Sequence, residues 1–321
     1  MSAPQHTPLV SIGMPVYNGE TYLRQTLQSI LGQTFRDFEL IVCDNCSSDG
    51  TQTICEEYAA IDPRVRYRRN PRNLGAAPNY NLVFLLSSGQ YFKWADHDDL
   101  IAPDFIERCV RALQQHPDVA VCFPRAKLID KAGVAIGDYD PLPDTSSPEP
   151  HVRFRNLVLY NDHRLTQASG LIRSALLRKT ALHGSYPCSD EVLFAHLALL
   201  GRYHEIPERL FLLRQHQDQS TRGVLASERA RVLFFDSSLE GKAVLVKWPY
   251  FRDCLLAIQS SPIAVGQKCR CYLHVLRWLA RRQNLRSTLK DAMLAFHTRV
   301  PVFPRLYEEV VQTAARGQHY R

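Results

Sequence analysis

Between Leu9 and Phe123, short apolar runs alternate with segments of helical periodicity, and this alternation constrains the fold more than any other feature of the chain. Leu9–Met14, Phe38–Cys43, Val65–Arg69, Gln90–Ala95 and Val119–Phe123 read as strands. Each is rich in β-branched, aromatic or aliphatic residues and is bounded by Gly, Pro, Asn or Asp. Between the first two, Tyr22, Leu23, Leu27, Ile30 and Leu31 recur at helical spacing. Similar patterns run through Ile54 and Tyr58, through Ala76–Leu86 and through Phe105–Gln115. Strands and helices in this order predict a parallel, doubly wound α/β sheet with right-handed crossovers. Ligands of such sheets bind beyond the carboxyl ends of the strands. Downstream, Gly201–Pro207 and Leu210–Arg214 read as two short strands, and Val192–Leu200 as a helix with Ser189 as its N-cap.

The fourth strand runs straight into Asp96-His97-Asp98-Asp99. Three carboxylates in four residues repel one another, and close like charges raise pKa values. A hard divalent cation, Mg2+ or Mn2+, relieves that repulsion. The competing reading is a polar loop in which Asp99 or Asp104 caps the next helix.

Charge divides the chain in two. Residues 1–225 carry 23 Lys and Arg against 25 Asp and Glu, whereas residues 226–321 carry 16 against 7. The pattern also changes there, to mainly helical, so a domain of residues 1–225 followed by a basic helical extension of residues 226–321 is expected. The extension's cations are interleaved with Leu, Trp and Phe and no nucleic-acid recognition motif is present. That composition suits peripheral contact with a membrane surface, or an ordinary packed face, better than nucleic acid. Nine scattered cysteines, several in apolar runs, suit a reducing compartment. No secretory signal is visible at the N-terminus and no stretch approaches a spanning helix, so a cytoplasmic location is expected.

Four blocks, in order, carry a resemblance to a known family: VSIGMPVYNGETYLRQTLQSILGQTF, ELIVCDNCSSDGT, NLGAAPNYN and YFKWADHDD. Together they resemble the family 2 glycosyltransferases of GT-A fold, over roughly residues 8 to 222. The resemblance implies inverting transfer of a sugar from a nucleotide diphosphate, UDP- or dTDP-type, to a glycan, lipid-linked or small-molecule hydroxyl, with Mn2+ or Mg2+ as cofactor. It implies that Pro15, Tyr17 and Asn18 line the nucleobase pocket and that Asp44 accepts a hydrogen bond from the base. Arg72, Gly75 and Asn81 fall in the donor-binding block, where Tyr80 replaces an arginine common in relatives. Asp98 becomes the principal metal ligand, Asp96 reaches the donor or the metal, and His216 of Arg214-Gln215-His216 is a further ligand. Asp190, at a helix start, takes the place of the catalytic base, with Glu191 as its competitor. A helix N-terminus lowers a carboxylate pKa, so a base there is expected to take its proton late. The alternatives are an inactive nucleotide- or glycan-binding module and a sugar-phosphate nucleotidyltransferase. MPVYNGETYL lacks the Gly-rich basic phosphate loop that the latter needs.

Overall fold

The computed structural model describes residues 7–139, 144–160, 166–217, 227–241, 245 and 247–298. The first half alternates as the sequence predicts: β1 (Val10–Val16), α1 (Glu20–Leu31), β2 (Phe38–Asp44), α2 (Thr51–Ile61), β3 (Val65–Arg69), α3 (Ala76–Leu85) and β4 (Tyr91–Trp94). Then come β5 (Leu100–Ile101), α4 (Phe105–Gln115), β6 (Val119–Ile129), β7 (Ala135–Tyr139), α5 (Pro150–Leu159), β8 (Leu171–Arg173), α6 (Ser174–Leu177), α7 (Ser189–Leu200) and β9 (Arg202–Arg214). Four helices close the described chain: α8 (Glu228–Phe235), α9 (Lys247–Ser260), α10 (Val265–Ala280) and α11 (Arg282–Thr298).

One sheet runs in the order β3-β2-β1-β4-β8-β6-β9-β5, with β7 added to β6. β3, β2, β1 and β4 are parallel neighbours, as are β6 and β9. β8 lies antiparallel between β4 and β6, and β5 antiparallel on β9, so the sheet is mixed and mostly parallel. Both faces are covered. Ile12, Met14, Leu40 and Val42 pack with Leu23, Leu27 and Phe105 on one side. The alternate residues Ile41, Cys43, Phe92 and Trp94 pack on the other with Phe154, Phe194 and the C-terminal helices. A strand covered on both faces is mainly apolar, with the few buried polar residues such as Glu39 and Lys93 hydrogen-bonded, which is why these runs stood out in the sequence.

Three boundaries differ from the sequence reading, each for a backbone reason. β1 continues through Pro15 to Val16, with Pro15 opposite Cys43 of β2. Gly13 accepts from Ala95 N on the β4 side, so Pro15, two residues on, turns its missing donor toward the same side. The β4 ladder has already ended there, at Trp94, so no ladder bond is lost. The two short strands expected over 201–214 are one strand, β9. Its register against β6 shifts between Ile206 and Arg209, and this irregularity absorbs Pro207. Finally, Cys188 and not Ser189 is the N-cap of α7; it sits at φ 65° and makes no capping bond, and Ser189 is the first helical residue.

The basic helical part shares the core of the sheet-bearing half. Tyr250, Cys254 and Ile258 of α9 and Cys271, Val275 and Trp278 of α10 belong to the same apolar cluster as α5 and α7. Tyr250 and Trp278 stack with centroids 4.6 Å apart. The expected boundary at residues 225/226, part of the polar loop over 215–222 and the last helix expected near Ala315 lie at least partly outside the described residues. Among the described residues, no helix is long and apolar enough to cross a membrane.

Candidate active site at the carboxyl end of the central strands

β4 ends where Ala95 N donates to Gly13 O and Trp94 Nε1 donates to Tyr80 O at 3.0 Å. That anchored end presents the three acids to different partners. Asp96 accepts from the Tyr80 hydroxyl. Asp98 Oδ2 lies 2.9 Å from His216 Nε2. Asp99 is buried and accepts from Arg214 N at 2.8 Å. Of the two capping alternatives, Asp99 fails because β5 follows it directly, whereas Asp104 does occupy the N-cap position of α4, but its carboxylate pairs with Arg108 and makes no capping bond. Burial, then the neighbouring Asp98, raises the Asp96 pKa, and the same two causes push Asp99 well above the carboxylate range.

Arg214 organises this loop from the end of β9. It is fully buried, and its guanidinium donates to Asp98 O at 2.6 Å, Lys131 O at 2.9 Å, Asp130 O at 3.2 Å and Gln25 Oε1 at 2.8 Å. Its charge also lies 4.7 Å from the centre of the Tyr22 ring. Thr26 of α1 donates its hydroxyl to both His97 O and Asp99 O at 2.9 Å. The acid loop is thus held from α1, β9 and the β6–β7 turn. Sequence reasoning missed Tyr22, Gln25 and Thr26, although their spacing along α1 was visible.

The acids fit a divalent cation of a particular kind. No group of three His, Cys, Asp or Glu side chains converges as a closed metal cage among the described residues. A carboxylate oxygen and an imidazole nitrogen do converge at Asp98 and His216. The other ring nitrogen, His216 Nδ1, is buried without a hydrogen-bond partner among the described residues. A donor set this small suits Mg2+ or Mn2+, which take one or two protein ligands and fill the remaining positions with phosphate oxygens and water.

On the other side of β1 lie the residues expected at the base. Tyr17 is exposed, and Asn18 sits at φ 51° with its side chain accepting from Ser48 N. Pro15 is buried within β1. Asp44 is fully enclosed: it accepts from Ser47 N at 2.8 Å, and from Tyr67 Oη and Arg69 at 3.0 Å each. A carboxylate offers about four acceptor positions, so these three donors leave one unfilled. Tyr67 and Arg69 went unnoticed in the sequence; the parallel register, which sets Arg69 opposite Asp44, creates the contact.

The block expected to bind the donor is divided in use. Arg72 is exposed and has no side-chain partner among the described residues. Gly75, at φ 89°, packs so closely on the segment after α8 that a Cβ would come within 2.6 Å of Asp236 Cα. Asn81 spends its amide on the His183 backbone, donating to His183 O and accepting from His183 N at 2.9 Å each. The clamp sets the His183 ring against Trp94 and Tyr80, at 4.9 and 5.3 Å between centroids. Burial lowers the His183 pKa to about 4, so the ring is neutral near pH 7.

α7 carries the two base candidates and packs beside β4 through Phe194 and Trp94, 6.5 Å apart. Asp190 is half-buried and its pKa is raised. Burial is the larger cause and the backbone N–H groups of the helix start oppose it, which reverses the direction expected from the helix terminus alone. Glu191 accepts from the Tyr250 hydroxyl of α9 at 3.3 Å. A cavity of about 490 Å3 lies between α7 and α9, lined by Leu182, Tyr186, Ser189, His196 and Ser260, on a face of α7 next to that of Asp190.

Comparison with known proteins agrees with this arrangement. Residues 11–180 match the family model described as glycosyl transferase family 2. An uncharacterized glycosyltransferase of Rickettsia typhi is 31% identical over 232 residues, 70% of each chain. The structure resembles S. aureus TarS 1–349 in complex with UDP-GlcNAc at a TM-score of 0.60 and 16% identity, over 97% of this chain and 93% of that one. It also resembles the mannosyltransferase PcManGT from Pyrobaculum calidifontis in complex with GDP-Man and Mn2+, at a TM-score of 0.54 and 15% identity, over 99% and 82%. These likenesses identify the mixed sheet as a GT-A fold. The family model spans more than half of the sequence, and the chain belongs to glycosyl transferase family 2.

Proposed function

We propose that this glycosyltransferase inverts the anomeric centre of a UDP- or dTDP-type sugar in a single, metal-dependent displacement. The acceptor is a hydroxyl of a glycan, a lipid-linked sugar or a small natural product. The observation that carries the reading is the convergence of Asp98 and His216 where β4 ends, with Asp96 beside them and a separate carboxylate, Asp190, on α7. The two neighbours solved with UDP-GlcNAc and with GDP-Man and Mn2+ support a nucleotide-sugar donor and a divalent ion.

In this reading Tyr17 and Asn18 border the base, Asp44 accepts its imide N–H, and Asp96 orients the donor's ribose or sugar hydroxyls while Tyr80 holds Asp96 in place. Arg72 is free to reach the diphosphate. Asp98 and His216 are the side chains that hold Mn2+ or Mg2+, which when bound supplies positive charge to the diphosphate oxygens as the leaving group gains negative charge. Asp190 accepts the acceptor's hydroxyl proton as that oxygen bonds to the anomeric carbon and the bond to the diphosphate breaks. Its raised pKa makes it a stronger base than an exposed carboxylate. Glu191, tied to Tyr250, positions α7 against α9. All nine cysteines are free, which suits a reducing cytoplasmic setting.

A thermal-shift panel of nucleotide sugars with Mn2+ or Mg2+ tests this. A true donor at 100 times its Kd stabilises by about 2.7 kcal/mol. Failure of every nucleotide sugar to raise Tm, or a shift unchanged by chelator, would remove the proposal.

A further inference from the structure

Helix α11 is amphipathic the wrong way round for a helix of a water-soluble surface. Its inward face carries the buried polar residues Asn284, Thr288 and Asp291. Its outward face carries Leu285, Leu289 and Met293, which are 41%, 56% and 65% exposed. Leu273 and Leu276 of the adjoining α10 are also more than half exposed. Arg282, Arg286 and Lys290 alternate with the α11 apolar residues on one helical face, since 282, 286, 289, 290 and 293 fall within one side at 3.6 residues per turn. These three cations are exposed and form no ion pair with any described residue.

The two helices themselves expose no carboxylate among the described residues. Residues 265–298 contain seven Lys and Arg and a single acid, Asp291. That acid is buried and accepts from Lys247 N and Trp248 N at the start of α9.

We propose that the outward face of α10 and α11 docks peripherally on an anionic lipid bilayer. The leucines and Met293 enter the boundary between headgroups and acyl chains, and the arginines and Lys290 meet lipid phosphates. Charge complementarity selects this occupant. A second copy of the chain would set Arg282, Arg286 and Lys290 against themselves across a twofold contact. No residue of the sugar-transfer site lies on this face, so the inference stands independently of that reading.

Flotation of the full-length protein with phosphatidylcholine vesicles, with and without phosphatidylglycerol, tests it. The wild type floats with the anionic vesicles and is released by salt. Leu289→Glu/Met293→Glu and Arg282→Gln/Arg286→Gln/Lys290→Gln each lower the bound fraction at least about fivefold. Both variants keep the wild-type Tm, because every changed side chain is exposed. Three results would overturn the proposal: no flotation of the wild type, equal flotation of the variants, or a wild-type dimer by light scattering that Leu289→Glu/Met293→Glu makes monomeric. The nucleotide-sugar thermal shift is measured on the wild type and on the same variants. If the wild type lacks it while still floating with anionic vesicles, the sugar-transfer reading falls and the membrane face stands.

Discussion

Replacing Arg214 by Met removes a buried fork while keeping most of its apolar stem. The guanidinium donates to three main-chain carbonyls and to Gln25, so Arg214→Met leaves those buried acceptors unmet. Each unmet group costs about 1–3 kcal/mol. Against this, the variant no longer has to bury a charge, which recovers several kcal/mol. The Met stem retains packing against Tyr22, and the Arg214 N–H bond to Asp99 is main-chain and survives. Four unmet acceptors at that cost, less the several kcal/mol recovered, leave a loss of about 3–5 kcal/mol. At about 2 °C per kcal/mol for a chain of this size, Tm falls by about 6–10 °C. The functional loss is more specific. Asp98 O loses its anchor at 2.6 Å, so the Asp98–His216 pair loses its alignment and metal-dependent nucleotide binding weakens. Arg214→Lys retains charge but not the fork, and falls between the two. Urea unfolding and nucleotide titration with Mn2+ measure the two effects. A variant within about 1 kcal/mol of wild type refutes the energetic argument. A destabilised variant with wild-type nucleotide affinity refutes the claim that Arg214 positions the acid loop.

Other consequences are separable. Asp98→Asn lowers metal-dependent turnover by about 10²–10³-fold or more, and wild-type turnover in chelator would sink the role given to Asp98. Asp190→Asn suppresses transfer by about 10²–10⁴-fold with donor affinity unchanged, while Glu191→Gln costs little; the reverse pattern would move the base to Glu191. Because burial raises the Asp190 pKa and the base works deprotonated, kcat/KM climbs with pH along an acid limb displaced upward from that of an exposed aspartate; a limb at the ordinary position contradicts this. Lys93 is buried between Phe105 and Phe211 and its pKa is lowered to about 8. Between about pH 8 and 10 the unfolded chain holds the proton that the folded one has released, so this group makes stability rise with pH, and Lys93→Met flattens the slope of urea-derived stability in that window.

What the sequence revealed and what it concealed have one physical origin. Strands β1, β2 and β4 are covered on both faces, so their burial is written as continuous apolar runs and could be read residue by residue. The acids after Trp94 were legible for the same reason, since charge that follows such a run directly must lie at its end. Contacts that depend on pairing were not legible. Asp44 meets Arg69 only because β2 and β3 are in parallel register, and the meeting of Asp98 with His216 across 118 positions of sequence was implied by the family resemblance alone and not by any local pattern. Pro15 and Pro207 were read as strand ends because a missing donor matters only if a neighbour needs it, and the sequence does not say where a neighbour stops. The direction of the Asp190 shift went wrong in the same way: the helix terminus is local and visible, whereas the larger effect, burial, is supplied by the surrounding fold. Periodicity has the same blind side in α11. It locates an apolar face and a polar face but carries no sign for which one turns inward. Only the burial of Asn284, Thr288 and Asp291 shows that the leucines point away from the protein, and this reversal leaves the apolar side of a basic helix in the open.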